Sequence, residues 1–289
     1  MSDLYTGVRV HQVSKEIIDT IYQHGEIEIW DNRYNWYQNL YVVLKDETGS
    51  SASALGRVKG TKIVLLEKNL SAGGLNPRNK EQRMSMDALL DDSIQVVVMT
   101  GRAGTGKTIM TLAAAIDRME KKAYDKIILT KPMSQVTRYD LGALPGDVKD
   151  KFGPYLDNYL GNLEFMLGGE GSGKQKVQAA IEQYHIEFVP LQLIRGCSWH
   201  NAFIIADEVQ TLDYHEMTTL GTRIAEGSKL VIMGDLAQRD EKITKEKTGI
   251  YKFINSEQAK NSPFVASIEL IKCERSAVAE LFAEVFEAT

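Results

Sequence analysis

The sequence has few cysteines, no excess of basic charge and no long apolar run. Its two cysteines, Cys197 and Cys273, lie far apart and form no CxxC pair, which predicts neither a zinc site nor a disulfide framework. No run approaches the roughly 18 apolar residues of a membrane span, and the first residues lack the apolar core of a signal peptide. We therefore expect a soluble protein of the reducing cytoplasm with no membrane contact.

Charge and length restrict the function classes further. A net charge of −5 argues against a wholly basic nucleic-acid binder, although a local basic track remains compatible with it. The 289 residues are enough for one large domain or two smaller ones.

The pattern of the chain changes near residue 72. In residues 1–72 a short helix, "SKEIIDTIYQHG", begins at Ser14 and ends at Gly25, and three β-type runs follow: "EIEIW", "NLYVVLKD" and "GRVKGTKIVLLEK". These runs predict a small β-rich domain, and "NLSAGGLNPRN" (69–79) is the predicted linker.

Residues 73–289 alternate apolar strands with helices up to a last predicted helix, "SAVAELFAEVFEA". This alternation predicts an α/β domain with a mostly parallel sheet covered on both faces. The glycine-rich "LGGEGSGKQK" (167–176) predicts a surface loop.

The segment "GRAGTGKT" matches the phosphate-loop pattern G-x-x-x-x-G-K-[ST] and lies between a predicted strand and a predicted helix. Its glycines allow backbone N–H groups to point at phosphate oxygens, and the helix N-terminus adds a partial positive charge. The predicted phosphate-binding residues are Gly101, Arg102, Ala103, Gly104, Thr105, Gly106, Lys107 and Thr108. Lys107 would reach the β- and γ-phosphates, and the Thr108 hydroxyl would coordinate Mg²⁺.

Two further strands end in polar residues. In "FIIADEVQ" the predicted roles are magnesium coordination for Asp207 and orientation and deprotonation of the attacking water for Glu208. Without a phosphate loop in the chain, a solvated strand end would be the simpler explanation. In "VIMGDLAQ" the amide of Gln238, which follows Asp235, is predicted to contact the γ-phosphate or its water, and an ordinary strand-to-turn transition is the alternative.

These motifs together resemble the PhoH-like ATPase family, a relative of superfamily 1 helicases. The resemblance covers nearly the whole chain and includes "NPRNKEQ", "TGRAGTGKT", "ILTKP", "LGALPGDVKDKFGPYLDN", "PLQLIRGCSWHNAFIIADEVQ" and "CERS". Residues 4–67 look like the β-rich segment that precedes the ATPase in proteins fusing a PIN ribonuclease to a PhoH domain. We expect no PIN nuclease in this chain, so RNA cleavage would need a separate nuclease.

The resemblance implies a RecA-like core that hydrolyses ATP with Mg²⁺, often as a ring, with a hexamer favoured. By the same resemblance, Gln82 would read adenine, and Thr130 and Lys131 would contact the backbone of a single strand. Arg275 would reach the γ-phosphate. Because the chain has one core, we expect this arginine to act on the site of an adjacent subunit, and Arg223 is the second candidate for that role. The chain departs from the family pattern at Cys197, where a basic residue is usual, and in "DEVQ", where "DEAQ" is usual.

Three functions remain open on the sequence. The leading one is an ATP-dependent motor acting on RNA or another single-stranded nucleic acid. The second is a nucleotide-switched scaffold that recruits a nuclease or another partner, and a small-molecule kinase is a poorer third.

Two residue sets bear on the substrate without deciding it. An aromatic set is predicted either to stack bases or to form the core of the β domain: Trp30, Tyr34, Trp36, Tyr37 and Tyr41. A basic set is predicted either to form a binding edge or to be simply solvated: Arg57, Lys59, Lys62 and Lys68.

Overall fold

The computed structural model describes residues 4–31, 34–132, 148–168, 173–238 and 244–274, together with Val285. Its first part is a five-stranded sheet in the order β1-β3-β4-β5-β2 with one helix. The elements are β1 (Val8–Val13), α1 (Lys15–His24), β2 (Glu26–Glu28), β3 (Tyr41–Asp46), β4 (Ser53–Lys59) and β5 (Lys62–Leu65).

The β-rich prediction for this part is confirmed, with five strands in place of three predicted runs, because the third run forms both β4 and β5 and β1 is additional. Helix α1 lies between Ser14 and Gly25 as predicted, and Gly25 ends it at φ 78° with its N–H donating to the carbonyl of Ile21. Strand β1 was not predicted, and it pairs in parallel with β3.

The second sheet has six strands, which are all parallel. They are β6 (Val96–Gly101), β7 (Lys126–Thr130), β8 (Ile186–Phe188), β9 (Ala202–Ala206), β10 (Lys229–Gly234) and β11 (Val265–Leu270), in the order β11-β6-β10-β9-β7-β8. The predicted parallel α/β core is therefore confirmed. Because parallel strands end at the same edge, the polar residues that follow β6, β9 and β10 lie together.

Helices cover both faces of this sheet. They are α2 (Lys80–Leu90), α3 (Lys107–Glu120), α4 (Val148–Leu167), α5 (Gly173–Gln183), α6 (Tyr214–Gly221), α7 (Gly249–Asn255) and α8 (Glu257–Asn261). Residues from α2 through α5 share one hydrophobic cluster, and residues of α6 and α7 belong to the cluster on the other face. None of the described helices is long and apolar enough to cross a membrane.

The structure corrects two sequence predictions in this domain. The predicted loop 167–176 overlaps two helices, because α4 ends at Leu167 and α5 begins at Gly173 with Val177 and Ala180 buried one turn apart. The pattern of "YHEMTTLGTRIAEG" predicts a helix over the whole segment, whereas α6 ends at Gly221, since Ile224 forms a β-bridge with Trp199 instead. The last predicted helix lies outside the described residues except for Val285, which is helical.

The two sheets pack closely against each other. Tyr41 of β3 is fully buried in the cluster that also contains Met99 of β6. Arg57 of β4 forms ion pairs with Asp87 (3.2 Å) and with Asp91, next to the end of α2. The domain boundary at residue 72 remains a prediction, and hydrophobic packing is continuous across it.

Candidate active site

The phosphate loop joins the end of β6 to the start of α3. Its glycines adopt positive φ values: 142° at Gly101, 82° at Gly104 and 92° at Gly106. A Cβ atom on Gly101 would lie 2.2 Å from the carbonyl oxygen of Leu270, so glycine is required there by space as well as by backbone conformation. The loop thus leads directly into the N-terminus of α3, where unpaired N–H groups favour an anion.

Side chains of the loop fix its shape. The Thr105 hydroxyl is buried and donates to the carbonyl of Arg102 (2.9 Å). Lys107 Nζ donates to the carbonyls of Gly101 (2.6 Å) and Arg102 (2.9 Å), which holds the ammonium group over the loop. The loop therefore carries a positive charge at the position where a phosphate chain would meet the helix.

Thr108 and Asp207 provide oxygen ligands suited to a magnesium ion. The Thr108 hydroxyl lies 3.5 Å from Asp207 Oδ2, and Asp207, which directly follows β9, is 5% exposed. Burial raises the pKa of the Asp207 carboxyl, and the charge of Glu208 adds to the rise. The described residues include no cluster of three metal-ligating side chains. One hydroxyl and one carboxylate fit the way Mg²⁺ is held jointly by protein and nucleotide phosphates.

Tyr159 of α4 completes the surroundings of this carboxylate. It is 1% exposed, and its hydroxyl donates to Asp207 Oδ2 (3.2 Å). The backbone N–H of Asp207 donates to the carbonyl of Thr130 (3.0 Å). Sequence reasoning did not identify Tyr159, because the motif around it carries no pattern of paired catalytic groups.

Glu208 differs from its neighbour in exposure and direction. Its backbone is left-handed at φ 57°, and its N–H donates to Asp207 Oδ1 (3.0 Å). The side chain is exposed, whereas that of Asp207 is buried. The turn therefore separates the two carboxylates, with one beside Thr108 and the other accessible to water.

Gln210 connects the ends of β9 and β10. It is 2% exposed, its Nε2 donates to Glu208 Oε2 (2.7 Å), and its Oε1 accepts from the N–H of Asp235 (3.2 Å). A Cβ on Gly234 would lie 2.8 Å from this Oε1. Sequence reasoning did not assign a role to Gln210, although its place two residues after Glu208 was a usable signal.

Beyond β10, Asp235 begins a short turn. Its Oδ1 accepts from the N–H of Ala237 (3.0 Å), and its carbonyl accepts from the N–H of Gln238 (2.9 Å). Gln238 is exposed at the end of this turn. Its contact with a γ-phosphate remains a prediction.

Gln82 lies against the phosphate loop from the first turn of α2. Its Nε2 donates to the carbonyl of Thr105 (3.0 Å), and its Oε1 accepts from the N–H of Arg78 (2.8 Å). The side chain of Asn79 caps the helix by accepting from the N–H of Gln82 (2.9 Å). Gln82 thus ties α2 to the loop, and its reading of adenine remains a prediction.

The two residues predicted to contact nucleic acid have different surroundings. Thr130 is fully buried at the end of β7, which removes its hydroxyl from the surface. Lys131 is partly exposed and close enough to Asp207 for its charge to oppose the rise in the pKa of that carboxyl. Of the pair, only Lys131 reaches the surface, and its contact with a nucleic-acid phosphate remains a prediction.

Arg275 lies outside the described residues. Glu274, the residue before it, donates its N–H to the carbonyl of Gly104 (3.0 Å) and accepts from Asn79 Nδ2 (2.8 Å), so the chain after β11 follows the phosphate loop. Arg223 precedes β10, and its Nη1 donates to the carbonyl of Cys197 (3.4 Å). Arg223 thus lies at the amino edge of the sheet, opposite the loop of its own chain.

Comparisons with known proteins show which family the chain resembles. Residues 74–287 match the model of the PhoH-like protein family. The chain is 34% identical over 288 residues to Protein PhoH2 of Bacillus subtilis (strain 168), covering 98% of this chain and 64% of that protein. It is 33% identical over 285 residues to Protein PhoH2 of Mycolicibacterium smegmatis, covering 98% and 63%. The chain therefore spans less than two thirds of the length of these relatives.

Among solved structures, the Pif1 helicase from Candida albicans is a distant neighbour. It is 16% identical, with a TM-score of 0.36, covering 74% of this chain and 44% of that one.

Proposed function

Because the chain belongs to the PhoH-like family, we propose that it binds and hydrolyses ATP with Mg²⁺ at the carboxyl edge of the parallel sheet. The observation that carries this proposal is the joint placement of three groups. Thr108 and Asp207 lie 3.5 Å apart beside the phosphate loop, and the exposed Glu208 follows directly. A protein that only held nucleotide would have no use for the second, water-accessible carboxylate.

Each group has a distinct task in this mechanism. The Lys107 ammonium group neutralises charge on the β- and γ-phosphates, while loop N–H groups hold their oxygens. Thr108 and Asp207 hold Mg²⁺, which when bound supplies charge stabilisation at the transferring phosphoryl group. Glu208 orients the attacking water and accepts its proton.

Gln210 provides a route from the nucleotide to the turn after β10. It hydrogen-bonds Glu208 on one side and the N–H of Asp235 on the other. A change in the position of Glu208 on hydrolysis would therefore be transmitted to Asp235 and to Gln238. We assign to this link the reporting of nucleotide state to the surface beyond β10.

For the substrate we propose single-stranded RNA or DNA, moved or remodelled at the same edge of the sheet. Lys131 supports this, since it is a partly exposed cation just beyond β7. Each neutralised phosphate contributes a slope of roughly −0.7 to log K against log salt for single strands. Lys131→Ala is expected to reduce the measured slope, and an unchanged slope would remove Lys131 from the interface.

We further propose that the protein works as a homo-oligomeric ring, with a hexamer favoured. The residues that the structure describes form one parallel core, so we expect a second face for the nucleotide to come from a neighbouring subunit. Arg275 is our candidate for the trans-acting arginine, and Arg223 is the reserve. Mixing inactive Arg275→Ala protein with inactive Lys107→Ala protein should restore part of the ATP turnover, whereas mixtures that stay inactive would argue against a shared site.

A nucleotide-switched scaffold that recruits a separate nuclease is the second candidate. The hydrogen-bonded link from Glu208 through Gln210 to Asp235 favours it, because such a link suffices for switching without unwinding. The deciding experiment measures ATP turnover with and without single-stranded RNA and DNA, together with the native mass. Stimulation by strands supports the motor. If added strands do not change ATP turnover and salt does not change strand binding, the scaffold is supported.

A further inference from the structure

The aromatic side chains of the N-terminal sheet divide into a core set and a surface set. Tyr37 and Tyr41 are 9% and 0% exposed, as expected for the core of a small β domain. Trp30 and Tyr34 are 42% and 45% exposed. Both rings pack against His11 and Trp36. Grouped exposed apolar surface is typical of interaction sites, so the surface set requires its own explanation.

This surface set is the centre of an aromatic platform, which we define as Arg9, His11, Trp30, Tyr34 and Trp36. His11 is stacked on Trp36, with ring centroids 4.8 Å apart, and meets Tyr34 edge-on at 4.9 Å. Trp30 lies 5.4 Å from Trp36. Because these rings hold one another in place, little side-chain freedom is lost when a flat ligand stacks on them.

Arg9 gives the platform a positively charged group, and the carboxylate of Asp31 lies close enough to His11 to act on its pKa. The Arg9 guanidinium group lies 5.7 Å from the centroid of Tyr34 and 5.9 Å from that of Trp36, and its Nη1 donates to the carbonyl of Asn35. Among the residues that the structure describes, no carboxylate forms an ion pair with Arg9. A guanidinium group beside exposed aromatic faces is the combination that binds bases together with their phosphates.

The platform is connected to the active edge of the parallel sheet by a short stretch of chain. The carbonyl of Thr6 accepts from the N–H of Glu269, and Glu269 pairs with Thr100, the residue before the phosphate loop. Arg9 is three residues beyond Thr6, which is at most about 11 Å of chain. A single-stranded nucleic acid of the length that small β modules bind, roughly 4–16 nucleotides, would reach both the aromatic platform and the active edge of the parallel sheet.

We propose that the aromatic platform is a binding site for single-stranded nucleic acid, separate from Lys131. Bases stack on Trp30 and Tyr34, and Arg9 neutralises a neighbouring phosphate. Stacking on ring faces tolerates every base, so this site contributes affinity and holds the strand without reading its sequence. The choice of partner rests on the proposed function, whereas the platform itself rests on the contacts above.

The tryptophans allow a test that needs no mutation. The chain has three, of which Trp30 and Trp36 belong to the platform, and the third, Trp199, is 4% exposed. Titration of the full chain with oligo(U) and oligo(dT) of about 20 nucleotides, a length above one module's site, should quench tryptophan fluorescence in step with binding.

Variants of the platform then measure its share of the affinity. Removing one stacking ring, as in Trp30→Ala or Tyr34→Ala, should weaken binding of the labelled strand by about 5- to 150-fold. Trp30→Phe and Tyr34→Phe keep a ring face and should retain most of the affinity. Tyr22→Ala is the matched control, because Tyr22 is 58% exposed on α1, outside the platform, and it should bind strands as the wild type does. A cooperative thermal transition confirms that each variant is folded.

The outcomes separate this proposal from the proposed function. Strand-stimulated ATP turnover with no tryptophan quenching and unchanged affinity in the alanine variants would overturn the platform and leave the motor standing. Quenching and loss of affinity without stimulation of turnover would support the platform and count against the motor. An altered native mass of the alanine variants at unchanged strand affinity would assign the rings to a protein contact and overturn the proposal, as would wild-type protein that binds no strand.

Discussion

Gln210→Leu tests whether the link between the two strand ends supports catalysis. The substitution keeps the size of the side chain and removes both hydrogen bonds. The N–H of Asp235, which is buried, loses its acceptor, and an unsatisfied buried group costs about 1–3 kcal/mol of stability. Glu208 is exposed, so water replaces its lost partner at small cost in stability, but its orientation is no longer fixed.

ATP turnover by Gln210→Leu should therefore fall by more than its loss of stability would explain. A misplacement of about 1 Å at a reacting group costs on the order of 100-fold in rate, so we expect kcat to fall by about 10- to 100-fold. ATP affinity should stay near the wild-type value, because no hydrogen bond of Gln210 described above reaches the phosphate loop. The assay combines steady-state turnover, equilibrium ATP binding and urea unfolding of the same preparations.

Gln178→Leu is the matched control. Gln178 Nε2 also donates to a carboxylate, that of Glu182 (2.9 Å), but the pair is exposed on α5. Surface substitutions of this kind change stability by about 0.5 kcal/mol or less, and turnover should not change. A Gln210→Leu protein that is destabilised yet turns over ATP at the wild-type rate would refute the link.

Three further predictions follow from the fold and the site. Arg57→Leu removes one partner of the buried pair with Asp87 and should lower the free energy of unfolding by about 3–5 kcal/mol in urea titrations, and a loss below about 1 kcal/mol would contradict the pairing. Gly101→Ala places a Cβ atom 2.2 Å from the carbonyl oxygen of Leu270 and should lower both Tm and ATP affinity, so a variant normal in both would contradict this loop geometry. Burial raises the pKa of Asp207, and its protonated fraction grows as pH falls through that raised pKa. As pH is lowered, magnesium affinity, measured calorimetrically in the presence of nucleotide, should thus begin to weaken at a pH above the ordinary Asp pKa of about 3.9. An affinity that does not change down to that pH would exclude Asp207 as a ligand.

The parts of the fold predicted well from sequence depend on local patterns. The phosphate loop has a fixed spacing, and its strand and helix lie where the motif requires them. The apolar runs that end at Ala206 and Gly234 predict buried parallel strands, and parallel strands bring their following residues to one edge. Asp207 and Glu208 could therefore be placed near the loop before any coordinates.

The features of the fold and the site that were not predicted from the sequence depend on contacts between residues far apart in the chain. Strand β1 has a mixed polar sequence and is recognised by its pairing with β3. Tyr159 reaches Asp207 from a helix 48 residues away in sequence, and no local pattern encodes that contact. Trp30 and Tyr37 belong to the same aromatic cluster in the sequence, which does not indicate which of the two rings is buried. The folded sheet determines that Trp30 is exposed and Tyr37 is not.

The measurement that tests the central claim most directly compares Glu208→Gln with Lys107→Ala for ATP binding and ATP turnover. Glu208→Gln keeps the shape of the exposed side chain and removes the proton acceptor, so ATP should still bind while turnover falls by about 10²–10⁴. Lys107→Ala removes the charge over the loop and should abolish ATP binding. Equal loss of binding in both variants, or a Glu208→Gln protein that hydrolyses ATP at the wild-type rate, would contradict the roles assigned to these two residues.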